Sequence, residues 1–255
     1  MDIRQRLHLS GMDSHAPELA RKWGLGLEVT DFCYAPMLDE PATLPADREK
    51  IAGIDHFWLH APFAELAPCA VDPLVREVTA RRYRQALSAA RQLGIRRLVI
   101  HSGYIPLVYF PEWFTEQSVA FWREFLPEVP EDMVLALENV MDETPQLMTD
   151  IVRQVDDPRL GLCLDVGHAN TCASRTPPME WIAPMAPYLR HVHLHNNLGD
   201  WDLHSSLGDG EILMQQILAA LLEQCPASTW TIENQDCAPS LHGWRGRAIL
   251  VRSNL

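Results

Sequence analysis

The stretch Leu160-Gly161-Leu162-Cys163-Leu164-Asp165-Val166-Gly167-His168 is a short apolar run that ends abruptly in a carboxylate, followed by a glycine and a histidine. A run this short and this apolar has the pattern of a strand buried on both faces, as in a parallel sheet covered by helices. The same pattern recurs on either side of it. Apolar runs end in a polar residue at LHLSG (to Ser10), LGLEV (to Thr30), HFWLH (to His60), RLVIH (to His101), VLALE (to Glu138), RHVHLH (to His195) and TWTIE (to Glu233). From Leu9 to Glu233 there are 224 residues in seven intervals, or 32 apiece, which is the length of one strand-loop-helix-loop unit.

Amphipathic segments fill the intervals. The clearest is 73–93, where apolar residues fall at Leu74, Val78, Tyr83, Leu87, Ala90 and Leu93 and Gly94 stops the run. Others cover about 15–23, 46–52, 113–126, 145–155, 178–188 and 212–224. The stretch after Glu233 contains Pro239, Gly243 and Gly246, so the eighth unit is expected to close with a short or irregular element. Eight alternations in 255 residues are the count of a (β/α)8 TIM barrel, read as one domain over 1–255. A doubly wound open sheet is the alternative. It would usually carry a glycine-rich first turn, and neither GxGxxG nor GxxxxGK[ST] is present.

Lys and Arg number 21 against 34 Asp and Glu, a net charge of −13, which is the wrong sign for a protein that neutralises phosphate backbones. Nucleic acid is therefore disfavoured as a partner. No run reaches the ~20 apolar residues of a membrane span, and MDIRQRLHLSG lacks the apolar centre of a secretory signal, which predicts a cytoplasmic protein. The six cysteines include no CxxC pair and read as reduced thiols. A homo-oligomer is compatible with this composition.

In such a barrel, reactive residues sit at the carboxyl ends of the strands, where the loops open onto one cavity. Here His60, His101, Glu138, Asp165 and Glu233 close strands. His168 follows Asp165 by three residues, strand seven brings His193, and the loop after it holds Asp202 and His204. Each alone is weak evidence, since a strand-end histidine is commonly structural and a strand-end carboxylate commonly caps a helix. Nine from six segments converging on one mouth are a different matter. Four of them are carboxylates, whose mutual repulsion in a partly dry site calls for cations. Imidazoles mixed with carboxylates suit zinc, manganese or iron better than magnesium or calcium.

The segments HAPF, VIHSG, LALEN, CLDVGHAN, HVHLHNN, DLHSSLGDG and TIEN resemble the xylose isomerase-like barrel superfamily, which includes sugar-phosphate isomerases, epimerases and endonuclease IV. In the epimerases the resemblance implies one metal held by Glu138, Asp165, His193 and Glu233. In endonuclease IV it implies up to three zinc ions on nine ligands. The first would lie on His60, His101 and Glu138, the second on Glu138, Asp165, His193 and Glu233, and the third on His168, Asp202 and His204. The substrate-binding arginine that epimerases of this kind carry six residues after the strand-seven histidine is Gly199 here.

Three divalent ions against four carboxylates leave about +2 for a phosphate, and one ion leaves about −2. This favours metal-assisted hydrolysis of a small phosphoester over reaction on duplex DNA. In that reading Glu138 is shared between two ions and Glu233 assists as base. Isomerisation or epimerisation of a sugar or sugar phosphate, with Glu138 and Glu233 as the acid/base pair, is the alternative. A non-catalytic binding barrel is the third. Tyr104 and Trp201 are candidates to stack on substrate, and Gly208, entering the following helix, is a candidate phosphate contact. His191, His193 and His195 share a strand face; His193 is chosen as ligand, with His195 left as a ligand or a donor to one.

Overall fold

The computed structural model describes residues 3–40 and 44–245. Eight parallel strands close into a barrel in sequence order, with β8 pairing back onto β1. The strands are β1 (Leu7–Ser10), β2 (Gly26–Val29), β3 (Phe57–His60), β4 (Arg97–His101), β5 (Val134–Glu138), β6 (Leu160–Asp165), β7 (Leu189–Leu194) and β8 (Thr229–Ile232). The helices are α1 (Ala16–Trp23), α2 (Leu44–Ile51), α3 (Pro73–Leu93), α4 (Pro111–Phe125), α5 (Pro145–Val155), α6 (Pro178–Met185), α7 (Met214–Gln224) and α8 (Ala238–Arg245). The TIM barrel expected from the repeat is thus the fold, closed by a helix of only eight residues. Among the described residues, no helix is long and apolar enough to cross a membrane.

Local chemistry sets the helix limits. Asp72 caps α3 by accepting from the Leu74 amide at 2.8 Å, Pro73 occupies the first turn, and Gly94 ends the helix at φ 77°. Helix α5 likewise starts on Pro145, and Asp156 leaves it in the left-handed region. Helix α6 contains Pro184 and stops at Met185, short of the expected 188, with Pro187 two residues on.

Strand alternation divides the interior in two. Leu9, Leu27, Leu59, Leu98, Leu135, Leu162, Val192 and Ile232 join the core between sheet and helices, which the tryptophans Trp122, Trp181 and Trp230 also fill. Trp58, Val99, Ala136 and Cys163 form a separate cluster within the barrel. The rest of that inner surface is polar and buried, with His8, Glu28, His191 and Thr231. Trp58 bridges the halves: its ring stacks on His191 at 4.3 Å and its Nε1 donates to Thr229 Oγ1 at 2.8 Å. Register then sets the mouth. His101 pairs with Glu138, Asp165 with His193, and Leu194 with Ile232, so the chemical side chains end at similar height.

Trp122 is buried and its ring lies parallel to that of Tyr83 at 5.9 Å, joining α4 to α3. Trp122→Ala is expected to lower stability by roughly 3–5 kcal/mol, read as a shift in the denaturant midpoint without loss of barrel content by circular dichroism.

Candidate metal centre

Histidine tautomers are set from behind by groups that can only accept. His60 Nδ1 donates to the Ala61 carbonyl at 2.9 Å, His168 Nδ1 to the Asn139 carbonyl at 2.9 Å, and His204 Nδ1 to the Glu233 carbonyl at 3.0 Å. Each ring therefore turns Nε2 toward the mouth. His193 is reversed. Its Nε2 meets Glu28 Oε1 at 3.0 Å, and Nδ1 faces the mouth. Glu28 is anchored in turn by the Thr231 hydroxyl, which donates to Oε2, and lies 3.1 Å from His191 Nε2.

Glu138 sits at the centre with its oxygens divided. Oε2 lies 3.2 Å from His60 Nε2 and 3.4 Å from His101 Nε2, whereas Oε1 lies 3.0 Å from His193 Nδ1. Beyond it, His193 Nδ1 is 3.1 Å from Glu233 Oε2 and 3.6 Å from Asp165 Oδ2. On the outer side Asp202 Oδ2 takes His168 Nε2 at 3.2 Å and His204 Nε2 at 2.9 Å. His204 holds this position at φ 47°, a strained conformation for a side-chain-bearing residue. The strain is imposed by the bridge between Asn196 and Ser205 and by Asn234, whose amide donates to the carbonyls of His204 and Ser205.

The nine residues expected at the mouth are thus brought together there. At the mouth, donor atoms close enough to share an ion fall into the sets His60, Glu138 and His193; Glu138, Asp165, His193 and Glu233; and His168, His195, Asp202 and His204, and Glu28, His191 and His193 form a further such set behind them. His101 stays beside the first set, its ring stacked on Phe63 at 4.2 Å. Glu28, with its link to His193, is the principal addition to the site residues read from sequence. Its signal was a lone acid inside an apolar strand, one residue short of the strand end.

The substrate candidates differ. Tyr104 is only 4 % exposed and packs edge-on to Phe114, so the core holds it away from the mouth. Trp201 is 73 % exposed beside Asp202. Gly208 is not at a helix start, because α7 begins at Met214 and the amides of Asp209, Glu211 and Ile212 are already bonded to Ser206, Asn197 and Asn196.

The electrostatics fit a cation. With Nε2 of His193 donated to Glu28, the Nδ1 lone pair confronts three carboxylates, an arrangement that needs either a proton or a metal ion between them. Glu233 Oε2 is buried without a hydrogen bond. Burial alone would raise the Glu138 carboxyl, but His193 and His101 hold it well below the ordinary range, and His168 and His195 do the same for Asp165. Burial opposes charge on His168 and His204, yet Asp165 and Asp202 raise the first to about 10 and Asp202 with Glu233 raises the second to about 9. In the absence of metal, protons on these histidines are the counter-charge.

Residues 21–235 match the family of xylose isomerase-like TIM barrels. The chain belongs to that family. An uncharacterised Methanocaldococcus jannaschii relative is 31 % identical over 188 residues, covering 70 % of this chain and 64 % of the relative, so the chain spans less than two thirds of its length. A probable endonuclease 4 of Mycobacterium leprae is 23 % identical over 64 % of this chain and 68 % of its own. Among solved structures, a D-tagatose 3-epimerase-like protein superposes with a TM-score of 0.78 at 25 % identity, over 94 % of this chain and 95 % of that one. A Thermus thermophilus protein soaked with zinc chloride gives 0.75 at 28 % identity, over 96 % and 98 %.

His168 and His204 carry folded-state pKa values above the ordinary 6.5 of free histidine, so the stability they lend is complete below about pH 6.5 and is lost as pH rises through 9 and 10. In chelator, the melting temperature should fall between pH 7 and pH 10, and fall less in His204→Gln. Divalent metal replaces the protons and should flatten the decline. Equal slopes for wild type and variant in chelator would show that His204 is not the group responsible.

Proposed function

We propose that the protein is a divalent-metal hydrolase of small phosphoesters, with an endonuclease IV-like site of up to three ions but without a duplex substrate. The observation that carries this reading is the division of Glu138, whose two oxygens face different donor sets while a third set lies alongside. Divalent ions held there, zinc or manganese, would supply Lewis acidity that neutralises phosphoryl oxygens and acidifies water. The chain's own residues do the rest. Glu138 spans the two inner sets, and Glu233, with an unbonded oxygen at the mouth, is placed to accept a proton. Phe63 and Trp201 offer exposed aromatic surface to the organic part of an ester.

The rim bears on substrate class. Among the described residues of the eight strand-to-helix loops, Arg175 is the one Lys or Arg, and it is paired with Glu143 at 2.6 Å. A duplex would meet no basic track, whereas a single phosphoester can be met by the ions alone.

Epimerisation is the second reading, supported by the grouping of Glu138, Asp165, His193 and Glu233 around one point and by the likeness to a D-tagatose 3-epimerase-like protein. Glu138 and Glu233 would then pass a proton to and from a small sugar. Against it stands Gly199, which holds φ 91°, a conformation an arginine at that position would adopt only under strain.

Metal content by elemental analysis separates the two, near three ions per chain for hydrolysis and near one for epimerisation. Glu138→Gln should remove more than one equivalent and His204→Ala about one; equal losses would overturn the sharing of Glu138. On an aryl phosphodiester, Asp202→Ala should lower turnover about 100-fold or more, because the third set loses its carboxylate. The hydrolase reading is abandoned if wild type exchanges deuterium beside a ketose carbonyl, lacks phosphodiesterase activity with zinc or manganese, and is indifferent to Asp202→Ala. Absence of both activities and of metal would indicate a binding barrel.

A further inference from the structure

The nine-residue pattern supplies three donors to the outermost set, namely His168, Asp202 and His204, but the structure brings a fourth. His195 lies at the end of β7, fully buried, with its ring stacked on that of His204 at 4.0 Å. Its Nε2 is 3.0 Å from Asp165 Oδ1 and 3.6 Å from Asp202 Oδ1, and its donor atom lies within 4.8 Å of those of the other three. Its Nδ1 is buried and bonded to nothing, so the ring is not held in place by a backbone carbonyl as His60, His168 and His204 are. Space for it is made by Gly167, where a Cβ would stand 1.8 Å from the His195 Cε1. The sequence Asp165-Val166-Gly167-His168 therefore carries a built recess for an imidazole from the next strand.

We propose that His195 completes a four-donor site with His168, Asp202 and His204, holding one divalent ion by three imidazoles and one carboxylate. This rests on the reading that the mouth holds metal, and it gives the outer ion a different character from the inner ones. Three neutral imidazoles with a single carboxylate match zinc in a four-coordinate site with every position taken by protein. The inner set offers three carboxylates and one imidazole, a harder and more negative shell that suits manganese as well and leaves positions for substrate. The outer ion then acts on substrate through its charge and is the first ion bound and the last removed, while the inner ions exchange.

The test uses cobalt(II), whose visible absorption is intense in four-coordinate sites and weak in six-coordinate ones. The first equivalent added to metal-free full-length protein should give the intense spectrum. In His195→Asn that spectrum should collapse, and affinity for the first equivalent should fall by at least about tenfold. X-ray absorption on wild type carrying one equivalent of zinc, which needs no variant, should count three imidazoles. Two imidazoles there, or a His195→Asn protein that keeps the intense first spectrum and loses only later equivalents, would overturn the proposal and leave His195 as a partner of Asp165. If wild type binds no cobalt at all, the metal reading of the whole mouth fails, a result distinct from either.

Discussion

The Nδ1 atom of His193, with Glu138, Glu233 and Asp165 around it and Glu28 holding the far side of its ring, is the constraint on which the rest of the molecule turns. Four carboxylates within reach of one imidazole in a nearly dry barrel cannot all be ionised without positive charge among them. The fold supplies neither Lys nor Arg to that point among the described contacts. It supplies histidines, of which His60, His168, His193 and His204 are held toward the protonated form by the surrounding carboxylates, and the same rings, once neutral, are of the type that ligates a metal ion.

That exchange works only if the rings are aimed in advance. Backbone carbonyls of Ala61, Asn139 and Glu233 occupy Nδ1 of His60, His168 and His204, and each carbonyl belongs to a strand end or the residue just after one. Asn139 adds a second fastening, donating to the Asp165 carbonyl and accepting from the Asp165 amide, which ties β5 to β6 at the height of the site. The polar inner surface beneath, from Trp58 through Thr229, His191 and Thr231 to Glu28, sacrifices apolar packing inside the barrel but fixes the one ring that faces the other way.

The barrel was legible because each strand is a buried apolar run and the clearest helices carry their own punctuation: 73–93 and 145–155 are bounded by Pro at the start and a left-handed residue at the end. The ligand candidates were legible because strand ends in a barrel point to one place. What escaped depended on tertiary contacts. Glu28 acts from one residue below the strand end and is recognised only when His193 is seen to lean on it. Tyr104 reads as a loop aromatic, but Phe114 draws it into the core. The apolar stretch from Ile212 suggests an earlier start for α7, yet Asn196 takes the Ile212 amide and carbonyl and delays the helix to Met214.

The near absence of Lys and Arg from the described residues of the strand-to-helix loops, in a chain of net charge −13, bears on how an anion would reach this mouth. Most enzymes of anionic substrates draw them in by long-range attraction, which dissolved salt weakens. In the proposed hydrolase the outer field would repel an anion until it came within a few ångströms of the metal ions, and salt would screen that repulsion over about 10 Å at 0.1 M. Encounter with an anionic phosphoester, on that proposal, would be faster at higher ionic strength, a positive kinetic salt effect. Such a rim would favour ligands that carry little charge beyond the group the proposed ions hold.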